Sequence, residues 1–456
     1  MNVKNMKDKK VLIVGLGKSG IAAAKVLIEL GADVTVQDKK RSEELDRGLV
    51  QYFTNHNVTC YFGKDPKPGV KYEAVIMSPG APLTIPFVQE AEHNGAEIIS
   101  EIELAYRLGK GQYVAITGTN GKTTTTTLTG EIFEEAGKKT KVVGNIGVAV
   151  VKEAVEASDD TVFVTEVSSF QLEPIAKFHP HISAILNLTP DHLDRHKTMQ
   201  GYIDAKARIF ENQGPDDYFV VNKDDAPTWE LAGRCQATVV PFSRKEALEF
   251  GAYVEDGTIV VKDKEGTVHP ICGAKELHIP GAHNLENALA ATAIAFCAGI
   301  STEVIARVLR DFAGVEHRLE LTAVVDGVKY INDSKGTNPD SSIKALEAME
   351  TPVLLIAGGY DKKSSYEEFI KAFDGKVKKL LLLGVTAPAI RDTALSMGYP
   401  EADIVMCKDM DECVRQAAKM ASEGDTVLLS PACASWDMYD SYEQRGAHFK
   451  SCVKNL

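Results

Sequence analysis

The chain has 456 residues and a formal net charge of −13 at pH 7, with 44% hydrophobic residues. That length exceeds one ordinary hydrophobic core, so two or three domains are expected. The acidic balance disfavours nucleic-acid binding, which needs a basic surface, and no apolar run approaches the ~20 residues of a membrane span.

The eight cysteines are scattered along the chain without a C-x-x-C pair. This spacing argues against a zinc site or a disulfide framework and suits a reducing compartment. The polar start of the chain has no signal-peptide core. We therefore expect a cytoplasmic protein with no membrane and no nucleic-acid partner.

Residues 1–100 are predicted to form a Rossmann-like domain. A buried strand at 11–14 runs into the turn GLGKSG at 15–20, and a helix follows. A second strand ends at Asp38, near the place of a ribose-binding acid, so the literal interpretation is NAD or another nucleoside diphosphate. A third strand at 74–77 enters a rigid turn that contains Ser78 and Gly80.

Residues 101–313 are predicted to form a second domain around a phosphate loop. The apolar strand 113–116 enters TGTNGKTT at 117–124, and a helix follows. Backbone N–H groups at such a helix start can hold phosphate, Lys122 would reach the β- and γ-phosphates, and the Thr123 hydroxyl would bind Mg²⁺. The loop is a shortened P-loop variant, because Ile116 stands where the first glycine would be. A glycine-rich turn that binds nothing is the alternative, and it leaves the Lys–Thr pair unexplained.

Further polar residues follow the next strands of this domain. Glu166 near the end of strand 161–167 has the place of a metal-holding Walker-B acid, although a solvated strand-end acid is the alternative. Asp191 and His192 follow strand 182–187 and offer metal lone pairs, although a lone histidine is usually satisfied locally. Lys206 on the helix 199–211 and Asn287 on the helix after 283 are ambiguous from the residues alone.

Residues 314–456 are predicted to form a third domain. Strands at 330–331, 353–357, 379–383 and 426–429 each enter a polar or glycine-rich segment, and an open α/β sheet builds its ligand crevice at that edge. The fold class is therefore α/β with three domains: an N-terminal Rossmann-like domain, a central P-loop ATPase-like parallel sheet and a C-terminal Rossmann-like domain.

Taken together, these segments resemble the Mur ligases, the ATP-dependent amino-acid ligases of peptidoglycan precursor synthesis. Loop 117–124 marks the superfamily and is shared with folylpolyglutamate synthase. The segments GLGKSG at 15–20, EVSSFQL at 166–172, NDSKGTNP at 332–339 and SPACAS at 430–435 resemble the members that add D-glutamate to UDP-N-acetylmuramoyl-L-alanine through an acyl phosphate. The resemblance spans all three domains.

The resemblance implies a role for each matching residue. Catalysis would depend on Lys122, Glu166, His192 and Lys206. ATP would be bound by Gly118, Thr119, Asn120, Gly121, Lys122, Thr123, Thr124, Asn287, Arg318 and Asp333. The UDP substrate would be bound by Gly17, Lys18, Ser19, Asp38, Ser78, Gly80 and Asn145. D-Glutamate would be bound by Lys335, Thr337, Lys362, Ser435 and Tyr442.

The resemblance also implies two Mg²⁺ ions, one held by Thr123 and Glu166, the other by His192 and a carbamylated Lys206. Carbamylation needs a neutral amine, so the pKa of Lys206 should be lowered. The enzyme is expected to be a monomer whose third domain closes after nucleotide binds. The loop GGYDKK at 358–363 leaves Lys362 and Lys363 as alternatives, Tyr442 stands where relatives can carry Phe, and no general base is assigned.

Two other functions compete with this interpretation. The first is another ligase of the superfamily, such as folylpolyglutamate synthase, which does not call for the loop at 15–20. The second is an NAD-dependent oxidoreductase or a nucleotide-sensing module, which leaves the set of Lys122, Thr123 and Glu166 unexplained.

Overall fold

The computed structural model describes residues 6–279, 281–361 and 364–456, and of Asp194 only the backbone. The strands are β1 (Lys10–Val14), β2 (Asp33–Asp38), β3 (Thr59–Phe62), β4 (Ala74–Met77), β5 (Glu97–Ser100), β6 (Gln112–Thr117), β7 (Lys139–Gly144), β8 (Thr161–Glu166), β9 (Ile182–Ile185), β10 (Tyr218–Asn222), β11 (Thr238–Ser243), β12 (Gly251–Glu255), β13 (Thr258–Lys262), β14 (Val268–Gly273), β15 (Glu320–Val325), β16 (Val328–Asn332), β17 (Val353–Ala357), β18 (Val377–Leu382), β19 (Ile404–Met406) and β20 (Thr426–Leu429).

The helices are α1 (Lys18–Glu29), α2 (Arg47–Asn55), α3 (Pro86–His93), α4 (Glu101–Leu108), α5 (Lys122–Glu135), α6 (Val150–Ala154), α7 (Ser169–Leu172), α8 (Leu193–His196), α9 (Met199–Ala207), α10 (Ala226–Trp229), α11 (Ala282–Cys297), α12 (Thr302–Asp311), α13 (Pro339–Glu347), α14 (Glu367–Lys371), α15 (Ala387–Ser396), α16 (Met410–Met420) and α17 (Tyr442–Lys454). None of the helices that the structure describes combines the length and apolar composition required to cross a bilayer.

The first sheet is parallel and has the order β3-β2-β1-β4-β5. Its central strand, β1, is continuously apolar because both faces are covered: Val11 to Val14 are at most 1% exposed. The chain leaves β1 toward β2 and β3 on one side, whereas β4 and β5 lie on the other side of β1. The loop after β1 therefore opens at a switch point of the sheet.

The second sheet has nine strands in the order β14-β13-β12-β11-β10-β9-β6-β8-β7. Strand β6 pairs in parallel with β8 on one side and β9 on the other. The carboxyl ends of these three strands therefore meet at one edge of the sheet, where the phosphate loop, Glu166 and the segment after β9 emerge. Strands β12, β13 and β14 pair as antiparallel hairpins, with turns at 256–257 and 265–266.

The third sheet has the order β15-β16-β20-β17-β18-β19. Strands β16, β20, β17, β18 and β19 are parallel, and β15 adds an antiparallel edge. The α/β class with three domain sheets is thus confirmed. The central sheet departs from a purely parallel one, because the hairpin strands extend it at one edge.

The chain forms two compact units. One contains the first and second sheets and takes in residues up to Ala274 together with Glu286–Leu309, and the other contains Lys275–Leu285 and Arg310–Leu456. Within the first unit, the buried Glu103 carboxylate accepts the backbone N–H groups of Ala176, Lys177 and Phe178 at 2.8–3.0 Å. This carboxylate fixes α4 to the segment after α7.

Element bounds differ from the sequence prediction where helices begin and end. Helix α1 already begins at Lys18, so Lys18 and Ser19 lie in its first turn. The helix with Lys206 ends at Ala207 and tightens into a 3₁₀ turn at Arg208–Phe210, as is common at helix ends.

Candidate functional site

The phosphate loop follows β6 and has a backbone that only glycine accepts without strain at two positions. Gly118 has a φ of 153° and Gly121 a φ of 83°. A Cβ on Gly121 would lie 2.2 Å from Asn287 Oδ1, so the amide of this predicted ATP-binding residue rests directly against the loop. Asn287 Oδ1 also accepts the Thr125 hydroxyl at 3.2 Å.

Residues outside the phosphate loop form hydrogen bonds that hold it in place, and sequence reasoning missed them. The Asn187 side chain accepts the Asn120 N–H at 2.8 Å and donates to the Asn120 carbonyl at 3.1 Å. Thr119 Oγ1 donates to the Thr189 carbonyl at 3.0 Å and lies 3.1 Å from the Tyr202 hydroxyl. The position of Asn187 after an apolar strand was the only sequence signal for these contacts.

The Lys122 side chain folds back onto the phosphate loop. Its ammonium donates to the carbonyls of Gly118 at 2.9 Å and Thr119 at 2.7 Å. A positive charge is therefore held at the mouth of the loop, where the first N–H groups of α5 also point. Anions bind at such helix starts because of those N–H groups and the helix dipole.

Thr123 and Glu166 are brought together as predicted. The Thr123 hydroxyl donates to Glu166 Oε2 at 2.7 Å, and the Asn145 amide donates to Oε1 at 2.9 Å. Glu166 is only 2% exposed. A buried carboxylate beside a P-loop hydroxyl offers the hard oxygen donors that Mg²⁺ prefers, so these residues fit the ion.

Lys206 is buried under the same loop. Its Nζ donates to the Thr117 hydroxyl at 3.2 Å and to the Gly118 carbonyl at 2.8 Å, and the residue is 2% exposed. Burial lowers the pKa of Lys206 far below its ordinary value and the nearby Lys122 charge lowers it further, while Asp191 and Glu166 act in the opposite direction. The neutral amine that carbamylation needs is thus favoured.

His192 directly precedes α8 as its N-cap and has a left-handed φ of 53°. Its Nε2 lies 3.5 Å from Asp191 Oδ2, and its ring meets Phe170 edge-on at 4.8 Å. The side chain is 36% exposed, so the imidazole is partly open to solvent. Joint metal binding by His192 and Lys206 stays a prediction.

The loop after β1 is held by the residues predicted around it. The Leu16 N–H donates to Asp38 Oδ2 at 2.6 Å, and the Ser78 hydroxyl donates to the Gly15 carbonyl at 2.7 Å. A Cβ on Gly20 would lie 1.9 Å from the Gly15 oxygen, so glycine is required for this close approach. Gly17, Lys18 and Ser19 form the start of α1, where the helix presents free N–H groups.

The second unit contains its own group of polar residues. Asp333 is fully buried, accepts the Ser430 hydroxyl at 2.8 Å, and lies 3.4 Å from Arg318. Burial raises the pKa of Asp333, and the Arg318 charge opposes that rise. Arg318 also donates to the Ser341 hydroxyl at 2.6 Å, so two predicted ATP-binding residues lie together.

The predicted amino-acid-binding residues lie in the same unit. Lys335 Nζ donates to the Tyr442 hydroxyl at 3.1 Å and stands 5.0 Å from the ring centre. The Thr337 N–H donates to the Lys335 carbonyl at 2.9 Å, and Ser435 is buried. Lys362, with its alternative Lys363, lies outside the described residues.

Arg445 is a further residue that sequence reasoning missed. This α17 side chain is 2% exposed and donates to the Ser334 hydroxyl and carbonyl and to the carbonyls of Cys433 and Ala434 at 2.8–3.2 Å. It therefore joins the segment after β16 to the segment after β20. An arginine within a helix carries no local signal of such a role.

Three family models match the chain in succession. The model described as Mur ligase MurD-like, N-terminal domain matches residues 9–100. The Mur ligase middle domain matches residues 116–295, and the Mur ligase, glutamate ligase domain matches residues 317–433.

Curated relatives match over nearly their full length. The UDP-N-acetylmuramoylalanine–D-glutamate ligase of Thermoanaerobacter sp. strain X514 is 51% identical over 452 residues, and that of Alkaliphilus oremlandii is 52% identical over 455 residues; each alignment covers 99% of both chains. Among solved structures, the UDP-N-acetylmuramate-alanine ligase MurC of Thermotoga maritima superposes with a TM-score of 0.60 at 20% identity, covering 98% of this chain and 99% of that one. This structure is evidence for the fold alone.

Proposed function

The chain belongs to the Mur ligase family, and we propose that it adds D-glutamate to UDP-N-acetylmuramoyl-L-alanine in peptidoglycan precursor synthesis, converting ATP to ADP and phosphate. Relatives named for this reaction support the choice of substrates, since they are about half identical over 99% of the chain. The geometric observation that carries the reaction type is the Thr123–Glu166 contact at the phosphate loop, beside Lys122. The folate-ligase and oxidoreductase alternatives are not favoured by these relatives.

ATP binds with its phosphates in the loop of residues 118–124. Lys122 exchanges its contacts with the loop carbonyls for the β- and γ-phosphate oxygens, and Asn287 supports the loop at Gly121 and Thr125. Thr123 and Glu166 would hold Mg²⁺, which would supply charge compensation on the β- and γ-phosphates. Arg318 and Asp333 contribute further contacts to the nucleotide.

Lys206 acts as a carbamate in this proposal. Its neutral amine bonds to the carbon of CO₂ and loses a proton to solvent, so a buried neutral group becomes an anion. Together with His192, the carbamate would hold a second Mg²⁺. The lowered pKa of Lys206 and its position under the loop support this assignment.

The UDP part of the substrate binds at the loop after β1. The N–H groups at the start of α1, with Gly17, Lys18 and Ser19, hold the diphosphate, and Asp38, Ser78 and Gly80 surround the uridine. Asn145 contacts the sugar end. The hydrogen bond that its side-chain amide donates to Glu166 supports this role, because it places Asn145 next to the carboxylate proposed to bind the metal.

D-Glutamate binds in the C-terminal domain. Its two carboxylates call for cations and hydroxyls, which Lys335, Thr337, Lys362 and Ser435 provide. Tyr442 covers the amino acid and is held in place by Lys335.

The reaction proceeds in two steps. The L-alanyl carboxylate oxygen attacks the γ-phosphorus of ATP, and ADP leaves, giving an acyl phosphate. Lys122 offsets the repulsion between the carboxylate and the ATP phosphates and stabilises the charge of the transferring phosphoryl group. The neutral amine of D-glutamate then attacks the acyl carbon, phosphate leaves, and the amine proton passes to solvent.

The proposal assigns residues 1–100 to the UDP-substrate domain, 101–313 to the ATP domain and 314–456 to the amino-acid domain. The enzyme works as a cytoplasmic monomer, where ATP and both substrates are available, and supports cell-wall growth, cell shape and division. Size-exclusion chromatography with light scattering tests the monomer.

Phosphate release from ATP tests the function directly. The assay contains UDP-N-acetylmuramoyl-L-alanine, and D-glutamate, L-glutamate or other amino acids are added in turn. Release that requires both the UDP substrate and D-glutamate is the expected result. Release with another amino acid instead would overturn the choice of acceptor, and the absence of any ATP turnover would overturn the ligase.

A further inference from the structure

A three-residue cluster lies between α16 and α17 and contains none of the residues assigned above. It consists of Asp411, His448 and Cys452, whose ligand atoms all lie within 4.8 Å of one another. His448 Nε2 lies 3.1 Å from Asp411 Oδ2. His448 and Cys452 are four residues apart on α17, so their side chains project from one face of that helix.

We propose that Asp411, His448 and Cys452 bind a zinc ion that links α16 to α17. Imidazole, thiolate and carboxylate are the three ligand types of protein zinc sites, at about 2.0–2.3 Å from the metal. A tetrahedron with these bond lengths separates its ligand atoms by roughly 3.5 Å, so the present spacing needs only small side-chain rotations. Water takes the fourth position.

The surroundings of His448 support metal binding. The Tyr439 hydroxyl lies 2.9 Å from His448 Nδ1. This contact leaves Nε2, the nitrogen beside Asp411, directed at the cluster. A hydrogen bond to the second ring nitrogen is the usual way in which a zinc-bound histidine is oriented.

Cys452 offers a protected ligand. It is 8% exposed, whereas Asp411 and His448 have side chains that are 58% and 37% exposed. The metal can therefore enter from solvent while the sulfur stays shielded. Binding displaces the thiol proton to solvent.

A second cluster in the described residues, Glu316, His317 and Glu320, offers a contrast. There the Lys450 ammonium already bridges the two carboxylates, at 2.8 Å from Glu316 and 2.5 Å from Glu320. A cation thus already satisfies that cluster. In the part of the chain that the structure describes, no lysine pairs with the Asp411 carboxylate, and the cluster on α16 and α17 combines a thiol with an imidazole.

The C-x-x-C criterion applied to the sequence does not detect this arrangement. It requires two cysteines in one turn, whereas this cluster takes one cysteine and one histidine from a helix and a carboxylate from its neighbour. The proposal therefore departs from the sequence-based expectation of no zinc site.

Cobalt titration of the full chain, with a phosphine reductant and excess Mg²⁺, tests the proposal. Co²⁺ bound by a thiolate shows a sulfur-to-cobalt charge-transfer absorption, which the oxygen and nitrogen ligands of the nucleotide site cannot give. We expect this absorption to saturate at one Co²⁺ per chain and to disappear when Zn²⁺ is added. Its absence in the wild-type protein would overturn the proposal.

Variants identify the ligands. Cys452→Ser should abolish the absorption, and the matched control Cys407→Ser, which changes another thiol of the same unit, should retain it. Tyr439→Phe should weaken Co²⁺ binding about tenfold or more without abolishing it. Retention of the absorption in Cys452→Ser, or its loss only in Cys407→Ser, would refute the assignment.

A measurement on the wild-type chain covers the case in which Cys452→Ser fails to fold. Alkylation followed by peptide mass spectrometry should show Zn²⁺ slowing the modification of Cys452 at least tenfold, with Cys407 unaffected. Equal rates at Cys452 with and without Zn²⁺ would contradict the site.

Discussion

Removal of the Asn187 side chain should impair ATP use far more than folding. In Asn187→Ala the phosphate loop loses two hydrogen bonds, one accepted from the Asn120 N–H and one donated to its carbonyl. Each contributes about 0.5–1.5 kcal/mol, so holding the loop in its phosphate-binding form becomes about 1–3 kcal/mol less favourable. At about 1.4 kcal/mol per factor of ten, kcat/KM for ATP should fall roughly 5- to 150-fold.

The assay is ADP formation over a range of ATP concentrations with both other substrates saturating. Asn187→Asp gives a graded comparison, because a carboxylate still accepts the Asn120 N–H but cannot donate to the carbonyl. Asn212→Ala is the matched control: its amide donates to two backbone carbonyls, those of Ala176 and Phe178, away from the loop. We expect kcat/KM to decrease in the order wild type, Asp variant, Ala variant.

The result that would refute this reasoning is an Asn187→Ala enzyme with unchanged kcat/KM for ATP. An equal loss in Asn212→Ala would also count against it, because the effect would then follow from general destabilisation. Thermal melts of all three variants separate the two causes.

Three further predictions concern buried groups. Glu166→Gln keeps the shape of the residue and can still contact Thr123 and Asn145, so the melting temperature should change little. Its kcat should fall about 10²–10³-fold, and activity equal to the wild type would contradict the metal role of Glu166. Lys206→Ala should lose activity to a similar extent and regain part of it with added acetate or formate. The control Lys177→Ala, which changes an exposed lysine, should leave activity unchanged. Absence of any loss in Lys206→Ala would contradict the carbamate. Burial raises the pKa of Glu101 from 4.5 to about 7. Between about pH 4.5 and 7 the folded state therefore retains a proton that the unfolded state has lost. The free energy of unfolding should fall by up to about 3 kcal/mol as the pH rises through this range. Glu101→Gln, whose side-chain oxygen can still accept the Val151 N–H, should therefore raise the melting temperature at pH 8 more than at pH 5, and an equal change at both values would contradict the raised pKa.

Local patterns explain which parts of the fold could be predicted. The strand, loop and helix around Lys122 lie within about 25 consecutive residues, so apolar period and glycine spacing predict them. The contact between Thr123 and Glu166 also follows, because parallel neighbouring strands end at one edge of a sheet. The pairs Asp256-Gly257 and Glu265-Gly266 are local turn signals for the hairpins, whereas the attachment of those hairpins to the central sheet has no local signal.

Long-range contacts explain what could not be predicted. Asn187 and Tyr202 touch the phosphate loop from positions 67 and 83 residues away in sequence. A glutamate is ordinarily exposed at the surface, yet Glu103 is buried because three backbone N–H groups donate to its carboxylate. Burial of Lys206 likewise depends on how α9 packs under the loop, which no single-residue property reveals.

The fate of the substrate oxygen tests the central claim most directly. UDP-N-acetylmuramoyl-L-alanine labelled with ¹⁸O in its alanyl carboxylate is converted with ATP and D-glutamate, and phosphate and product are analysed by mass spectrometry. Transfer of one labelled oxygen to inorganic phosphate, with the other retained in the D-glutamyl product, is the predicted result. Label in AMP, or product formed without labelled phosphate, would contradict the acyl phosphate and the role assigned to the loop.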